Sequence, residues 1–236
     1  MVVSTFFVVS PNFIYAKTLD QLVAEGCLVG QNIPHFKVGS APSHIASDFG
    51  NLLYAVNSGS GIENETISII HVDSTKVSSI PVGKLPSGIT VDLNKDVIYL
   101  ANAGSNTVSV IHRNDYRIIK NIPVENPEDI TFNPFQDKVY VSSLFSGKLT
   151  VINGTDYRII KNIPVSGSPS DITVDGSNIY VASYFFGTGT NGSVTAIYDK
   201  TKNVIAGVSL DVHPLNAGSI ICKGTKRIDN QCSARN

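Results

Sequence analysis

A ten-residue string occurs twice without a change in this chain of 236 residues. The string is Asp-Tyr-Arg-Ile-Ile-Lys-Asn-Ile-Pro-Val, and its copies occupy Asp115–Val124 and Asp156–Val165, 41 residues apart. Self-similarity with a period near 40 residues is typical of folds that are built from repeated supersecondary units. The duplication therefore predicts an array of similar units rather than one irregular domain.

Prolines extend the repeat in both directions, at Pro42, Pro86, Pro127, Pro169 and Pro214. Each of the first four is followed by a short apolar-alternating segment, a polar turn and a second segment that carries a tyrosine. Two further period-2 segments complete the unit, and the decapeptide lies in the last of them. Four short strands per roughly 42 residues predict the four-stranded antiparallel blade of a β-propeller. The predicted blades cover residues 39–83, 84–124, 125–166 and 167–211.

The recurrent tyrosines are Tyr54, Tyr99, Tyr140 and Tyr180. Alternation in the first strand predicts that apolar residues such as Ile89 and Val91 share one face, while Thr90 takes the other and allows close sheet packing. The predicted third strands are Thr66–His71, Thr107–His112, Lys148–Asn153 and Ser193–Tyr198. The predicted fourth strands are Lys76–Val82, Tyr116–Val124, Tyr157–Val165 and Asn203–Leu210.

Three motifs resemble the YVTN-type β-propeller repeats of archaeal and bacterial surface proteins. They are the tyrosine tetrads, such as Tyr140-Val141-Ser142-Ser143, the Val-Gly-x-x-Pro lead-in at Val38–Pro42 and Val82–Pro86, and the stretch Gly104–Ile111. The resemblance covers about residues 36–214 and implies an all-β propeller on an exported protein.

Relatives in that family commonly have seven blades, whereas four complete repeats are found here. The two ends of the repeat region would build a partial fifth blade together, since propellers often close their ring in this way. The alternatives are an open arc with exposed edge strands or a truncated gene product. Residues 215–236 resemble either a partial blade or the opening of a cysteine-containing module that follows the propeller in some relatives.

The first 16 residues hold an apolar run that ends in a small residue, Ala16, and predict a signal peptide followed by a lead segment at 17–35. An N-terminal β-strand is the alternative, and the run is too short for a spanning helix. Three Asn-x-Ser/Thr sequons, Asn64, Asn153 and Asn191, predict glycosylation of an exported chain, although such sequons also arise by chance.

Charge and cysteine usage exclude several classes of function. There are 18 basic and 19 acidic residues for a net charge of −1, and no basic cluster, so nucleic acid is not predicted as a partner. Cys222 and Cys232 would close a short disulfide loop in an oxidising compartment, with Cys27 left over or competing as a partner. No Cys-x-x-Cys spacing indicates zinc, and no cofactor is predicted.

The residue two positions after each proline faces the channel in a propeller, and it is His44, Gly88, Asp129 or Asp171. We predict a ligand site at this rim formed by His44, Asp129 and Asp171. Such residues would hold a hard cation or act as acid and base, or they would only cap turns at the starts of strands.

The sequence favours an exported, non-enzymatic propeller that serves as a cell-surface or secreted scaffold for a protein or cell-surface glycan, with self-association through open blade edges. One alternative is an enzyme of the lactonase or oxidoreductase type with a metal in the channel, which rests on fold analogy. The other is a degenerate truncated paralogue without a selected activity.

Overall fold

The computed structural model describes residues 5–10, 13–18, 36–59, 65–185, 192–198 and 203–210. The chain forms two compact units, Met1–Phe36 and Lys37–Asn236. In the first unit, β1 (Thr5–Ser10) pairs with β2 (Phe13–Thr18) as an antiparallel hairpin. The export signal expected at residues 1–16 stays a prediction.

The described part of the second unit contains four antiparallel sheets of four strands, each with its strands in chain order. Blade 1 consists of β3 (Pro42–Ser47), β4 (Leu52–Asn57), β5 (Thr66–His71) and β6 (Lys76–Pro81). Blade 2 consists of β7 (Pro86–Asp92), β8 (Val97–Asn102), a 3-10 turn η1 (Ala103–Ser105), β9 (Thr107–His112) and β10 (Ile118–Pro123).

Blade 3 consists of β11 (Pro127–Asn133), β12 (Lys138–Ser143), β13 (Lys148–Asn153) and β14 (Ile159–Pro164). Blade 4 consists of β15 (Ser168–Asp175), β16 (Asn178–Tyr184), β17 (Gly192–Tyr198) and β18 (Asn203–Leu210). The predicted fold of four-stranded antiparallel blades is confirmed.

The first strands of successive blades lie against each other, β3 on β7, β7 on β11 and β11 on β15. The first strand of each blade is therefore the inner one, and the decapeptide strands β10 and β14 are the outermost, as predicted. The C-terminal part of the predicted fifth blade and the cysteines Cys27, Cys222 and Cys232 lie outside the described residues, so closure of the ring stays a prediction.

Blades 1, 2 and 3 each pack their tyrosine-bearing face on the isoleucine-bearing face of the next blade. Tyr54, Tyr99 and Tyr140 are completely buried in these interfaces. Between blades 2 and 3, for example, Tyr99 shares one apolar cluster with Val139 and Val141. Burial of large side chains on both faces of a sheet contributes about 1.5–3 kcal/mol each, which is why short strands suffice in this fold.

The outermost strands of blades 1 and 4 begin where predicted, whereas those of blades 2 and 3 begin two residues later than predicted, at Ile118 and Ile159. Tyr116 lies in the preceding turn with a φ of 56°, a left-handed conformation that a strand cannot contain. The turn is held by the side chain of Asp115, whose Oδ1 accepts a hydrogen bond from Arg117 N at 3.2 Å. The second copy of the decapeptide has the same turn, with Asp156, Tyr157, Arg158 and Ile159 in the corresponding places.

The glycine of the Val-Gly-x-x-Pro lead-in makes room for the last residue of the tyrosine tetrad. A Cβ atom at Gly83 would lie 2.7 Å from Asn102 Cγ, and one at Gly39 would lie 2.7 Å from Asn57 Cγ. In blades 3 and 4 the corresponding residue has a side chain, and the tetrad there ends in the smaller serine: Glu125 with Ser143, and Ser166 with Ser183. Glycine with asparagine, or a larger residue with serine, are thus the two combinations that this contact accepts.

We predict that Gly83→Ala lowers the free energy of unfolding by about 1–3 kcal/mol, because it over-packs a buried contact. Adding Asn102→Ser, which reproduces the combination of blades 3 and 4, should recover most of the loss. Urea denaturation of the single and double variants measures both effects. Ser166→Ala is the matched control at an exposed position and should be neutral; a neutral Gly83→Ala would show that the contact does not restrict the sequence.

Candidate functional site

A β-bulge follows the proline of each inner strand. Between Pro86 and Ile89, for example, two residues of β7 lie opposite a single residue of β8, and blades 1, 3 and 4 have equivalent shifts. The bulges lie at or beside the channel positions His44, Gly88, Asp129 and Asp171. A bulge redirects side chains, so the fold itself sets the directions of these four residues.

Asp129 is buried in the interface between blades 3 and 4 rather than exposed at the rim. The residue is 8% exposed, and its Oδ2 accepts a hydrogen bond from Ile172 N of β15 at 2.8 Å. Its own backbone N donates to Ser142 Oγ at 2.9 Å. The carboxyl of Asp129 thus joins two blades, and the prediction that Asp129 contributes to a ligand site stays a prediction.

Gly88 on the preceding blade makes this burial feasible. A Cβ atom at Gly88 would lie 2.8 Å from Asp129 Cα and 2.9 Å from Asp129 Oδ1. Any side chain at this position would therefore collide with Asp129. Blade 2 has a glycine at this position, unlike the other blades, because Asp129 of blade 3 occupies the space that a side chain would need.

Asp171 interacts with both Asp129 and His44 at the inner strands. The carboxyl of Asp171, which is half-buried, is hydrogen-bonded to that of Asp129 and lies close enough to His44 to act on it electrostatically. Burial, and next the bond to Asp171, raise the pKa of Asp129 to about 8. The raised pKa favours the neutral, protonated form of Asp129 near neutral pH.

The imidazole of His44 is solvent-exposed, yet the neighbouring strands remove enough water to lower its pKa, and the charge of Asp171 opposes this shift. The three predicted residues are thus brought together. Within the described ranges, however, no group of three or more His, Cys, Asp or Glu side chains has an arrangement that would hold a metal ion.

Glu128 and Tyr184 also lie at this rim and were not predicted from the sequence. Burial raises the pKa of Glu128, while burial and then the charge of Glu128 raise the pKa of Tyr184. Glu128 replaces a serine that the other three blades share, Ser43, Ser87 and Ser170, and this departure from the repeat is the signal that would have found it.

The predicted glycosylation sites are described only in part. Asn153 is the last residue of β13, and its Oδ1 accepts hydrogen bonds from Thr155 N at 2.7 Å and Asp156 N at 3.2 Å in the turn that follows. Thr155 Oγ1 in turn donates to Asp137 Oδ2 at 2.6 Å. Asn64 and Asn191 lie outside the described residues, and glycosylation stays a prediction.

Among the residues that the structure describes, no helix is long and apolar enough to cross a membrane.

His112 lies at the outer end of β9, where its Nδ1 is 2.8 Å from Asp115 Oδ1.

We predict that Asp129 makes the stability of the protein depend on pH. Because its pKa is raised above the ordinary carboxyl value, its contribution is complete below about pH 4 and is lost as the pH rises toward 8. Asp129→Asn keeps an acceptor for Ile172 N but cannot ionise. The variant should therefore gain stability relative to the wild type as the pH rises from 5 to 8, with a limiting slope of about 1.4 kcal/mol per pH unit.

Urea denaturation at four pH values measures this difference. Asp175→Asn, at the exposed end of the neighbouring strand, is the control and should follow the wild type. If the free energy of unfolding changed with pH in the same way in all three proteins, the result would contradict a raised pKa at Asp129.

Comparison with known proteins identifies the architecture. No protein-family model and no curated protein sequence matches the chain. Among solved structures, it is similar to hydrazine synthase from Kuenenia stuttgartiensis, with a TM-score of 0.66, 23% identity, and coverage of 76% of this chain and 52% of the other. It is also similar to the Cps50 (Swd1) β-propeller domain of Myceliophteria thermophila, with a TM-score of 0.63, 11% identity, and coverage of 77% and 59%.

A third similar structure is a functionally unknown protein from Desulfotomaculum acetoxidans, with a TM-score of 0.61, 15% identity, and coverage of 89% and 66%. The chain thus spans less than two thirds of each of these three chains. At such identities the likeness shows the fold alone. The four blades are those of a β-propeller.

Proposed function

We propose that the chain is an exported, non-enzymatic β-propeller of the YVTN type that binds a protein or a cell-surface glycan. The observation that carries this proposal is that Asp129 joins blade 3 to blade 4. A buried carboxyl that accepts a backbone hydrogen bond from the next blade and is hydrogen-bonded to Asp171 is poorly placed to bind a metal or to act as a base on a substrate. The geometry of the inner strands therefore supports a scaffold better than a catalyst.

Binding at the channel would use the side chains that remain at its rim. His44 is exposed, and Asp171, Glu128 and Tyr184 are half-buried, so these polar groups keep access to solvent. Such a mixed polar rim suits weak recognition of a partner.

An exposed apolar surface on blade 1 supports the idea of association through blade edges. Ile45 is 63% exposed, whereas its counterparts Ile89, Ile130 and Ile172 are buried against the preceding blade. The same position in the repeat is thus uncovered only at blade 1 among the described blades. Another blade, from this chain or from a second copy, would cover it in the way that the three internal interfaces do.

Export is supported by the apolar run at residues 1–16 together with the sequons. We predict that protease treatment of intact producing cells removes the chain from an immunoblot, while a cytosolic marker stays intact. Lysis before protease treatment is the control that shows both proteins to be cleavable. A chain that is degraded only after lysis would contradict export to the surface.

The alternative, a propeller enzyme with a channel metal, is tested separately. If the proposal is right, elemental analysis of the purified protein finds no stoichiometric divalent metal, because Asp129 is engaged between blades. One bound metal per chain that is lost in Asp171→Ala, together with an activity, would favour the enzyme instead.

A further inference from the structure

A groove lies between the chain that follows β6 in blade 1 and the outer strands β9 and β10 of blade 2. Its volume is about 320 Å³, at the lower end of the range for small-ligand pockets. Glycine, hydroxyl and amide residues and an exposed isoleucine line it: Gly83, Ser105, Thr107, Ser109, Ile118 and Asn121. Among the described residues that form its wall, none has an ionisable side chain.

The equivalent groove between blades 2 and 3 is much smaller, about 130 Å³. The second copy of the decapeptide supplies the same isoleucine and asparagine, so the two grooves differ in their walls, where Ser143 and Thr150 replace Asn102 and Ser109, and at their mouths. Glu125 stands in place of Gly83, and Lys148 stands in place of Thr107. Lys148 Nζ and Glu125 Oε2 form a solvent-exposed ion pair of 3.3 Å, which occupies the mouth of this second groove. The first groove is open because its counterparts are small and neutral.

A chain of hydrogen bonds fixes the polar wall of the open groove. Asn102 Nδ2 donates to Ser109 Oγ at 2.9 Å, and Ser109 Oγ donates to Asn121 Oδ1 at 2.8 Å. Asn102 is completely buried, and its Oδ1 has no donor among the described residues. This oxygen lies 3.0 Å from the position of a Cβ atom at Gly83, directly beside the groove wall.

We propose that this groove binds a neutral saccharide. Several fixed hydroxyl and amide groups match the donors and acceptors of a sugar ring, and Ile118 offers an apolar contact to its C–H face. The absence of charge from the described wall favours a neutral sugar over a sulfated or acidic one. The inference deepens the glycan form of the proposed function and rests on it.

NMR titration of the full chain with maltose, cellobiose and N,N′-diacetylchitobiose tests the proposal. At least one of these neutral disaccharides should shift the amide signals of Gly83, of residues 105–109 and of residues 118–121. The corresponding signals of the second groove, at residues 146–150 and 159–162, should stay in place.

Two variants exchange the mouths of the grooves. Gly83→Glu with Asn102→Ser and Thr107→Lys copies the closed groove into the open one and should weaken binding about tenfold or more. Glu125→Gly with Ser143→Asn and Lys148→Thr copies the open groove into the second one and should raise the stoichiometry from one saccharide to two. Because the second variant gains a site, a failure of the first to fold does not remove the test.

Three results would overturn the proposal: no signal shift with any of the disaccharides, shifts confined to the channel rim, or unchanged affinity and stoichiometry in both variants. A protein partner that protects the groove while no saccharide binds would overturn it as well. The protease experiment on intact cells does not involve these residues. Failure of the groove and failure of export are therefore distinguishable.

Discussion

The packing of one blade on the next is the interaction on which the rest of this structure depends. A fully buried tyrosine from each of blades 1 to 3 meets the isoleucine-bearing face of the following blade, so the strands in these interfaces are covered on both faces. A shift of one residue in any strand would exchange its apolar and polar sets. Such interfaces accept few charged residues: among the described residues the buried acidic side chains are Glu65, Asp92 and Asp129, and only 16% of the chain is charged.

This constraint also decides where the blades are free to differ. Positions inside the interfaces keep the same kinds of residue in every described blade, whereas positions beside the bulges and at the mouths of the grooves change. Gly88 leaves space that Asp129 of the next blade occupies. Gly83 leaves the first groove open, whereas the equivalent residue of the second groove is the larger Glu125. The blades therefore differ beside the bulges and at the mouths of the grooves, and by our proposal these positions determine what the chain binds.

The strands could be predicted from the sequence because each carries its own signal. The prolines mark the inner strands, the tyrosines mark the second strands, and the predicted third strands agree with the structure to within one residue. The prediction that Tyr116 begins a strand was wrong because the hydrogen bond from Arg117 N to Asp115, rather than side-chain apolarity, sets the boundary there.

The site was harder to predict because its contacts cross between blades. Burial of Asp129 depends on the backbone of Ile172 and on the missing side chain of Gly88, which lie 43 and 41 residues away in sequence. Periodicity shows that these positions are equivalent, yet equivalence does not reveal that their side chains touch. The open groove likewise depends on pairs of residues from two blades and would emerge only from a comparison of the blades position by position.

Native-state hydrogen exchange tests directly whether blade-to-blade packing governs the structure. Since Tyr99 and Val141 belong to one apolar cluster, the amides of β8 and β12 should exchange through openings of the same free energy, as parts of one cooperative unit. Opening free energies for the two strands that differ by more than about 1 kcal/mol would show that the blades are stable independently. Such independence would contradict a fold that depends on the contacts between blades.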